Sequence, residues 1–139
     1  MVIYYRFNSS TILDKNKAKI KLNHRKNIKN LLKKIIKDLN DLKAIDIRFI
    51  DIKNRSALGD FLLIVTGNSS RHINAIAAKI IENHKKKVIS VEGLKSTEWV
   101  IVDFGDIILN IFKQDVREHY SLEKIWQSDL EDEKLALVR

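Results

Sequence analysis

EWVIVDFGDIILNIF, at residues 98–112, reads as a β-hairpin that sets the centre of the fold. A tight turn at Gly105 and Asp106 gives an antiparallel register in which six apolar side chains share one face. These are Val100, Val102, Phe104, Ile107, Leu109 and Ile111. Because side chains alternate along a strand, the other face receives Trp99, Ile101, Asp103, Ile108, Asn110 and Phe112. The first set is predicted to lie in the core.

The second face of the hairpin combines aromatic, aliphatic and polar side chains, and this mixture favours a docking surface. A central strand pair covered by helices on both faces would also give nearly continuous apolar runs, so that alternative stays open. Asp103 and Asn110 favour the docking surface. A polar group that is buried without a partner costs roughly 1 to 3 kcal/mol, whereas both residue types are ordinary at the rim of an interface.

Composition predicts one soluble globular domain. The chain has 139 residues, of which 45% are hydrophobic and 32% charged. No apolar run approaches the roughly 18 residues of a membrane span, and we expect a cytoplasmic protein. Cysteine is absent, which excludes disulfides, thiol catalysis and thiolate metal sites. The four histidines are scattered, so no metal site is predicted.

Positive charge is concentrated at the N-terminus. Residues 1–37 contain eleven Lys and Arg against a single acid, Asp14, so a net charge of +10 falls on this segment of a chain whose total is +8. The remainder is faintly acidic. The basic segment suits a phosphate-bearing partner, and a solvated, disordered tail is the alternative.

The pattern of apolar residues predicts the order αββαβββα and therefore an α/β fold with a mixed β-sheet and flanking helices. The predicted elements are a helix from Asn27, strands at Ile45–Asp51 and Phe61–Val65, a helix at Ser70–Asn83, a strand at Val88–Val91, the hairpin, and a helical stretch around Asp115–Ser128. We divide the chain into a basic, flexible extension at 1–25, a domain at 26–128 and an acidic tail at 129–139.

A loop between a strand and a helix, Thr66–His72, is the best candidate for an anion site in the sequence. Backbone N–H groups at a helix start can bind an anion. Neither a GxGxxG pattern nor a Walker lysine is present, so Ser69 or Ser70 is more simply the N-cap. Asp60, Asp103 and Asp106 are not spaced to converge on a divalent ion. No catalytic residue, metal ligand or cofactor is therefore predicted.

Four separated blocks of the sequence resemble the ribosomal silencing factor family, also called RsfS or Iojap. They are DFLLIVTGNSSRH at 60–72, VEG at 91–93, the hairpin at 98–112 and REHYSLEKIW at 117–126. The resemblance covers about residues 28–127. It implies a nucleotidyltransferase-like fold without catalysis. It also implies a translation repressor that binds the large ribosomal subunit through its L-fourteen-type protein, blocks joining of the small subunit, and is often a homodimer when free.

The resemblance also assigns partner-binding residues. The family's tryptophan in the partner-facing strand matches Trp99, and its acidic pair around the turn matches Asp103 and Asp106. Its C-terminal residues match Tyr120, Leu122, Glu123 and Trp126. Asn110 stands where the family usually has histidine. The predicted partner-binding set is Trp99, Ile101, Asp103, Asp106, Ile108, Asn110, Phe112 and Tyr120.

Two other functions are compatible with parts of the sequence. One is a nucleotide-binding protein or residual nucleotidyltransferase that uses the loop at 67–70 and the aspartates. The other is a freestanding RNA-binding module, although the N-terminal lysines lack interleaved aromatic residues for base stacking. In the repressor interpretation, the basic segment at 1–25 lies outside the resemblance and would add contact with ribosomal RNA.

Overall fold

The computed structural model describes residues 9–53 and 59–124, with side chains described from residue 15 onward. Its helices and strands follow the predicted order αββαβββα, so the α/β class is confirmed. They are α1 (Ser9–Asp41), β1 (Ile45–Asp51), β2 (Phe61–Thr66), α2 (Ser70–Asn83), β3 (Ser90–Glu92), β4 (Trp99–Asp103), β5 (Ile107–Phe112) and α3 (Gln114–Tyr120).

The five strands form one mixed sheet in the order β1-β2-β5-β4-β3. Among the described strands, β2 and β5 pair in parallel, and the other three pairs are antiparallel. In the hairpin, Val100 pairs with Ile111 and Val102 with Leu109, which is the predicted register. The turn is closed by a hydrogen bond from the Phe104 N–H to the Ile107 carbonyl (2.9 Å). The mixed sheet and the hairpin register are thus confirmed.

The two faces of the sheet are covered differently. On one face the six predicted core residues of the hairpin are all buried, and α2 packs there with Ile73, Ile76 and Ile80. On the other face a second apolar cluster consists of Ile50, Ile52, Leu62, Ile64 and Phe112, against which Trp99, Ile108, Val116 and Leu122 pack. Among the described residues, those that pack on this cluster from outside the sheet are Val116 and Leu122, and Trp99 and Ile108 stay partly exposed.

The chain divides into two compact units, Met1–Lys34 and Ile35–Arg139. The first contains most of α1, which begins at Ser9 and not at Asn27. The helix start predicted at Asn27 is therefore wrong. Residues 9–26 lack Gly and Pro and include five lysines, which are good helix formers, so the helix continues despite a weak apolar period. None of the helices described here is long and apolar enough to cross a membrane.

The last predicted helix is interrupted at Ser121, and residues 122–124 are again helical. Its regular part, α3, ends at Tyr120 because Ser121 adopts a left-handed conformation (φ 49°, ψ 45°). The spacing from Leu122 to Trp126 therefore does not continue α3, and Trp126 lies outside the described residues. The strand predicted at Val88–Val91 is β3, which begins two residues later, at Ser90. It begins later because the Val88 N–H still bonds the His84 carbonyl (3.2 Å) after the end of α2.

Candidate functional site

Three aromatic rings form a stack on the second face of the sheet. The Trp99 ring lies on Phe112, with 4.9 Å between ring centroids and 27° between planes. Tyr120 packs on Trp99, with 4.9 Å between centroids and 46° between planes. Phe112 is fully buried beneath Trp99, whereas Tyr120 is 52% exposed. The stack therefore runs from the core to the surface, and each aromatic pair adds about 0.5 to 1.5 kcal/mol beyond its buried area.

Asn110 orients the tryptophan. Its Oδ1 accepts a hydrogen bond from the Trp99 Nε1–H (2.9 Å), and its Nδ2 donates to the Leu63 carbonyl (3.3 Å). The side chain is 2% exposed. The prediction that Asn110 lies at the rim of an interface is therefore wrong, because the sheet supplies the partners that the amide needs. Phe112 is also buried, because Trp99 covers its ring. Both residues support the surface from below.

A groove of about 420 Å³ lies beside the aromatic stack. Apolar side chains provide most of its surface, and polar groups lie among them. Its lining residues are Ile52, Leu62, Ser90, Glu92, Trp99, Ile101, Asp103, Ile108, Asn110 and Leu122. The strand pairing explains the grouping, since Ile101 lies between Glu92 of β3 and Asn110 of β5. We call this surface, together with Tyr120, the hairpin surface.

The described lining of the groove carries negative charge. It includes Glu92 and Asp103, and none of the lining residues that the structure describes is a lysine or arginine. Asp103 also has a local role, because its Oδ1 accepts the Gly105 N–H (2.7 Å) and so closes the hairpin turn. An apolar groove with an acidic rim suits a partner that presents an apolar side chain beside lysine or arginine.

The structure brings together only part of the predicted set. The predicted residues that line the groove, as the alternation in the hairpin indicated, are Trp99, Ile101, Asp103, Ile108 and Asn110. Asp106 does not, since it lies in the turn, where its carbonyl accepts the N–H groups of Asp60 (2.8 Å) and Phe61 (2.9 Å). The partner-binding role of all these residues stays a prediction.

Four residues that line the groove were not predicted from the sequence, and all four lie outside the hairpin. They are Ile52, Leu62, Ser90 and Glu92. β2 is buried along its whole length, so its sequence has no alternation that would assign Leu62 to one face. Glu92 could have been found by pairing the third strand antiparallel with the hairpin, because that pairing places it opposite Ile101.

Gly93 sets the position of the strand that carries Trp99. Its φ is +89°, and a Cβ there would lie 2.0 Å from the Trp99 carbonyl oxygen. We expect Gly93→Ala to lower the free energy of unfolding by about 2 to 4 kcal/mol, because a left-handed alanine is strained and the clash is with backbone. Urea denaturation measures this loss.

Gly105→Ala is the matched control for that measurement. Gly105 has nearly the same φ of +90°, but its Cβ would meet only the flexible end of the Ile89 side chain, at 3.0 Å. Its loss should be limited to the backbone strain, about 1 to 2 kcal/mol. Equal losses for the two variants would show that the close approach of Gly93 to Trp99 does not matter.

Arg117 of α3 anchors the segment that carries Leu122 to the groove. Its side chain is 5% exposed, and its Nε donates to Glu123 Oε1 (2.6 Å). Its Nη1 donates to the Asp46 carbonyl and to Thr66 Oγ1, both at 2.8 Å. Its Nη2 lies 3.4 Å from Asp46 Oδ2. The guanidinium thus joins β1, β2 and the residues after α3.

Arg48 completes this cluster at the surface. It pairs with Asp46 Oδ1 (3.2 Å) and Glu123 Oε2 (3.5 Å), and its side chain is 57% exposed. The hydrogen bond and the charge of Asp46, with a smaller contribution from Glu123, raise the pKa of the Arg48 guanidinium. The two arginines and two carboxylates therefore form a closed ring of ion pairs, of which only Arg117 is buried.

The loop at Thr66–His72 is explained by helix capping. Ser69 is the N-cap of α2, and its Oγ accepts the His72 N–H (3.1 Å), which confirms the predicted capping role. The His72 ring also joins two loops, since Nδ1 accepts the Asn68 N–H (2.8 Å) and Nε2 lies 2.8 Å from the Leu42 carbonyl oxygen. Within residues 9–53 and 59–124, no three His, Asp or Glu side chains are grouped to hold a metal ion.

Residues 25–138 match the family model described as ribosomal silencing factor during starvation. The chain belongs to the ribosomal silencing factor family. A ribosomal silencing factor of Zymomonas mobilis is 37% identical over 99 residues, which are 69% of this chain and 74% of that protein. The family description names a regulatory role and not an enzymatic one, and the hairpin surface lies within the matched residues.

Solved structures and a more distant relative agree with the family assignment. A crystal structure of a Chromobacterium violaceum protein has a TM-score of 0.68 and 30% identity, and the match covers 72% of this chain and 86% of that one. The mouse protein called mitochondrial assembly of ribosomal large subunit protein 1 is 28% identical over 106 residues, 72% of this chain and 46% of that protein. The solved structure therefore supports the mixed α/β fold of the matched part of the chain.

Proposed function

We propose that this ribosomal silencing factor represses translation by binding the large ribosomal subunit through its L-fourteen-type protein and blocking the small subunit. The hairpin surface is the proposed site, and the cytoplasm is the proposed location. The observation that carries the proposal is the accessible groove beside Trp99, which combines apolar walls with Glu92 and Asp103 and lies in the residues that match the family. The name of the mouse relative supports a connection with the large subunit.

The geometry of the hairpin surface supports binding and not catalysis. Trp99 is held on three sides, by Phe112, by Tyr120 and by the hydrogen bond to Asn110. A side chain fixed in this way loses little conformational freedom when a partner binds, so more of the contact energy contributes to affinity. Tryptophan residues in desolvated central positions are frequent hot spots of protein interfaces.

Blocking the small subunit is the part of the proposal that requires a functional assay. Purified large subunits are incubated with the chain, small subunits are added, and the fraction of joined ribosomes is measured by sucrose-gradient centrifugation. We expect the chain to lower that fraction in proportion to its occupancy of the large subunit. Full occupancy without any loss of joined ribosomes would contradict the blocking role while leaving the binding site intact.

Ile101→Glu connects this effect to the hairpin surface. Ile101 is half-buried and lines the groove between Glu92 and Asn110, so a carboxylate there adds charge to an acidic rim and hydrates an apolar wall. We expect it to restore subunit joining. Ile89→Glu is the matched control, because Ile89 is 69% exposed and lies outside the groove lining. If Ile89→Glu restored subunit joining as much as Ile101→Glu does, repression would not depend on the hairpin surface.

The family resemblance also implies a dimer when the chain is free. We propose that state for this chain as well, and sedimentation equilibrium of the purified protein tests it. A monomer at all accessible concentrations would contradict it without affecting the proposed ribosome contact.

A further inference from the structure

The first compact unit carries a row of lysines on one side of α1. An α-helix turns by about 100° per residue, so Lys15, Lys19, Lys26, Lys29 and Lys33 lie within an arc of about 80°. At about 1.5 Å per residue the row is about 27 Å long. All five side chains are exposed, and none forms an ion pair with a residue that the structure describes. We call these five residues the lysine row.

The row has no internal compensation. Residues 15–37 contain no Asp or Glu, so the i,i+4 neighbours on this side of the helix are like charges. The i,i+4 pairs Lys15–Lys19 and Lys29–Lys33 each disfavour the helix by about 0.2 to 0.5 kcal/mol. A polyanion that neutralises the row removes this repulsion, so its binding and the helicity of α1 are coupled.

We infer that the lysine row binds the phosphate backbone of duplex RNA. A duplex is a straight rod of high linear charge density, and counterion release makes a row of lysines an effective contact for it. Residues 15–41 contain no Phe, Tyr or Trp, so this helix offers no platform for stacking unpaired bases. Recognition through the backbone of a duplex does not need such a platform. The choice of RNA over other polyanions rests on the proposed function, because a ribosome-bound chain is surrounded by RNA.

The lysine row lies partly outside the family match. The match begins at residue 25, so Lys15 and Lys19 lie before it and the other three lie within its first residues. The hairpin surface belongs to the second unit, Ile35–Arg139. The row therefore supplies a second contact of different chemistry, which should increase the affinity for the subunit without selecting the protein partner.

The test measures binding of the full chain to a labelled 20-base-pair RNA duplex of arbitrary sequence by fluorescence anisotropy at several salt concentrations. Five lysine contacts predict a log–log salt slope of about −4 to −5. The variant K19Q/K26Q/K33Q should reduce the magnitude of the slope by about 2 to 3. The control K21Q/R25Q/K34Q removes the same charge from other sides of α1 and should reduce it by less than about 1. Circular dichroism at 222 nm should show that the duplex increases helicity in the wild type.

Several outcomes would overturn the inference. Equal losses in the two triple variants would indicate a general polycation effect and not a row. Tighter binding to single-stranded poly(U) than to the duplex would indicate another mode of recognition. Binding to anionic phospholipid vesicles in the absence of duplex binding would assign the row to a membrane surface.

The test separates this inference from the proposed function. The RNA probe contains no protein, so Ile101→Glu should bind the duplex as the wild type does. Normal duplex binding by a chain that fails to bind large subunits would support the row and contradict the repressor proposal. Normal subunit binding with no duplex binding would contradict the inference about the lysine row and leave the repressor proposal intact.

Discussion

Trp99→Ala is expected to weaken binding to large ribosomal subunits by about 30- to 700-fold, which corresponds to about 2 to 4 kcal/mol. The substitution removes the middle ring of the stack between Phe112 and Tyr120 and leaves the buried Asn110 Oδ1 without its donor. Both effects remove a preorganised apolar contact from the centre of the hairpin surface. Co-sedimentation with large subunits through a sucrose cushion, at several protein concentrations, measures the change in affinity.

Phe49→Ala is the control for this prediction. Phe49 is 56% exposed on β1, and its ring contacts Phe61 at 6.4 Å between centroids, away from the groove. Its affinity for large subunits should stay within about twofold of the wild type. Both variants are first examined by thermal unfolding, so that loss of fold is not read as loss of contact. Unchanged co-sedimentation of a folded Trp99→Ala protein would remove Trp99 from the proposed interface.

Arg117→Ala should produce the largest loss of stability among the substitutions considered. Its guanidinium is buried and satisfies Glu123, the Asp46 carbonyl and Thr66 at distances of 2.6 to 2.8 Å. Each charge-assisted hydrogen bond of a buried guanidinium is worth about 1.5 to 3 kcal/mol, so the loss of these contacts should lower the free energy of unfolding by about 3 to 5 kcal/mol. We expect the midpoint of thermal unfolding to fall by about 10 to 20 °C, measured by scanning calorimetry.

Arg48→Ala provides the comparison within the same ring of ion pairs. Arg48 contacts the same two carboxylates but is 57% exposed, so its removal should lower the free energy of unfolding by no more than about 1 kcal/mol. Equal unfolding temperatures for Arg117→Ala and Arg48→Ala would contradict the larger contribution to stability that we assign to the buried Arg117.

The hairpin could be predicted from sequence because its information is local. Alternation of apolar residues on both sides of Gly105 defines a core face and a register, and the structure reproduces both. The capping of α2 is local as well, since Ser69 and His72 are three residues apart. Patterns of this length do not depend on which strands become neighbours.

The hydrogen bonds that hold the hairpin surface in place could not be predicted, because their donors and acceptors are distant in sequence. Asn110 is satisfied by a carbonyl of β2 that lies 47 residues away, so its burial follows from the parallel pairing of β2 with β5. The contact of Arg117 with the Asp46 carbonyl spans 71 residues. Asn110 was predicted to lie at the rim because the free-energy cost of burying an unpaired amide is known in advance. The hydrogen-bond partners that the folded sheet offers to it are not visible in the sequence.

The most direct test of the central claim is photo-crosslinking from the hairpin surface to the intact large subunit. A benzophenone amino acid replaces Ile101 in the groove or, as the control, the exposed Phe49. After irradiation, mass spectrometry identifies the crosslinked ribosomal component. The account predicts that the Ile101 position crosslinks mainly to the L-fourteen-type protein and that the Phe49 position does not. Crosslinks from Ile101 to other components, with the L-fourteen-type protein unmodified, would contradict it.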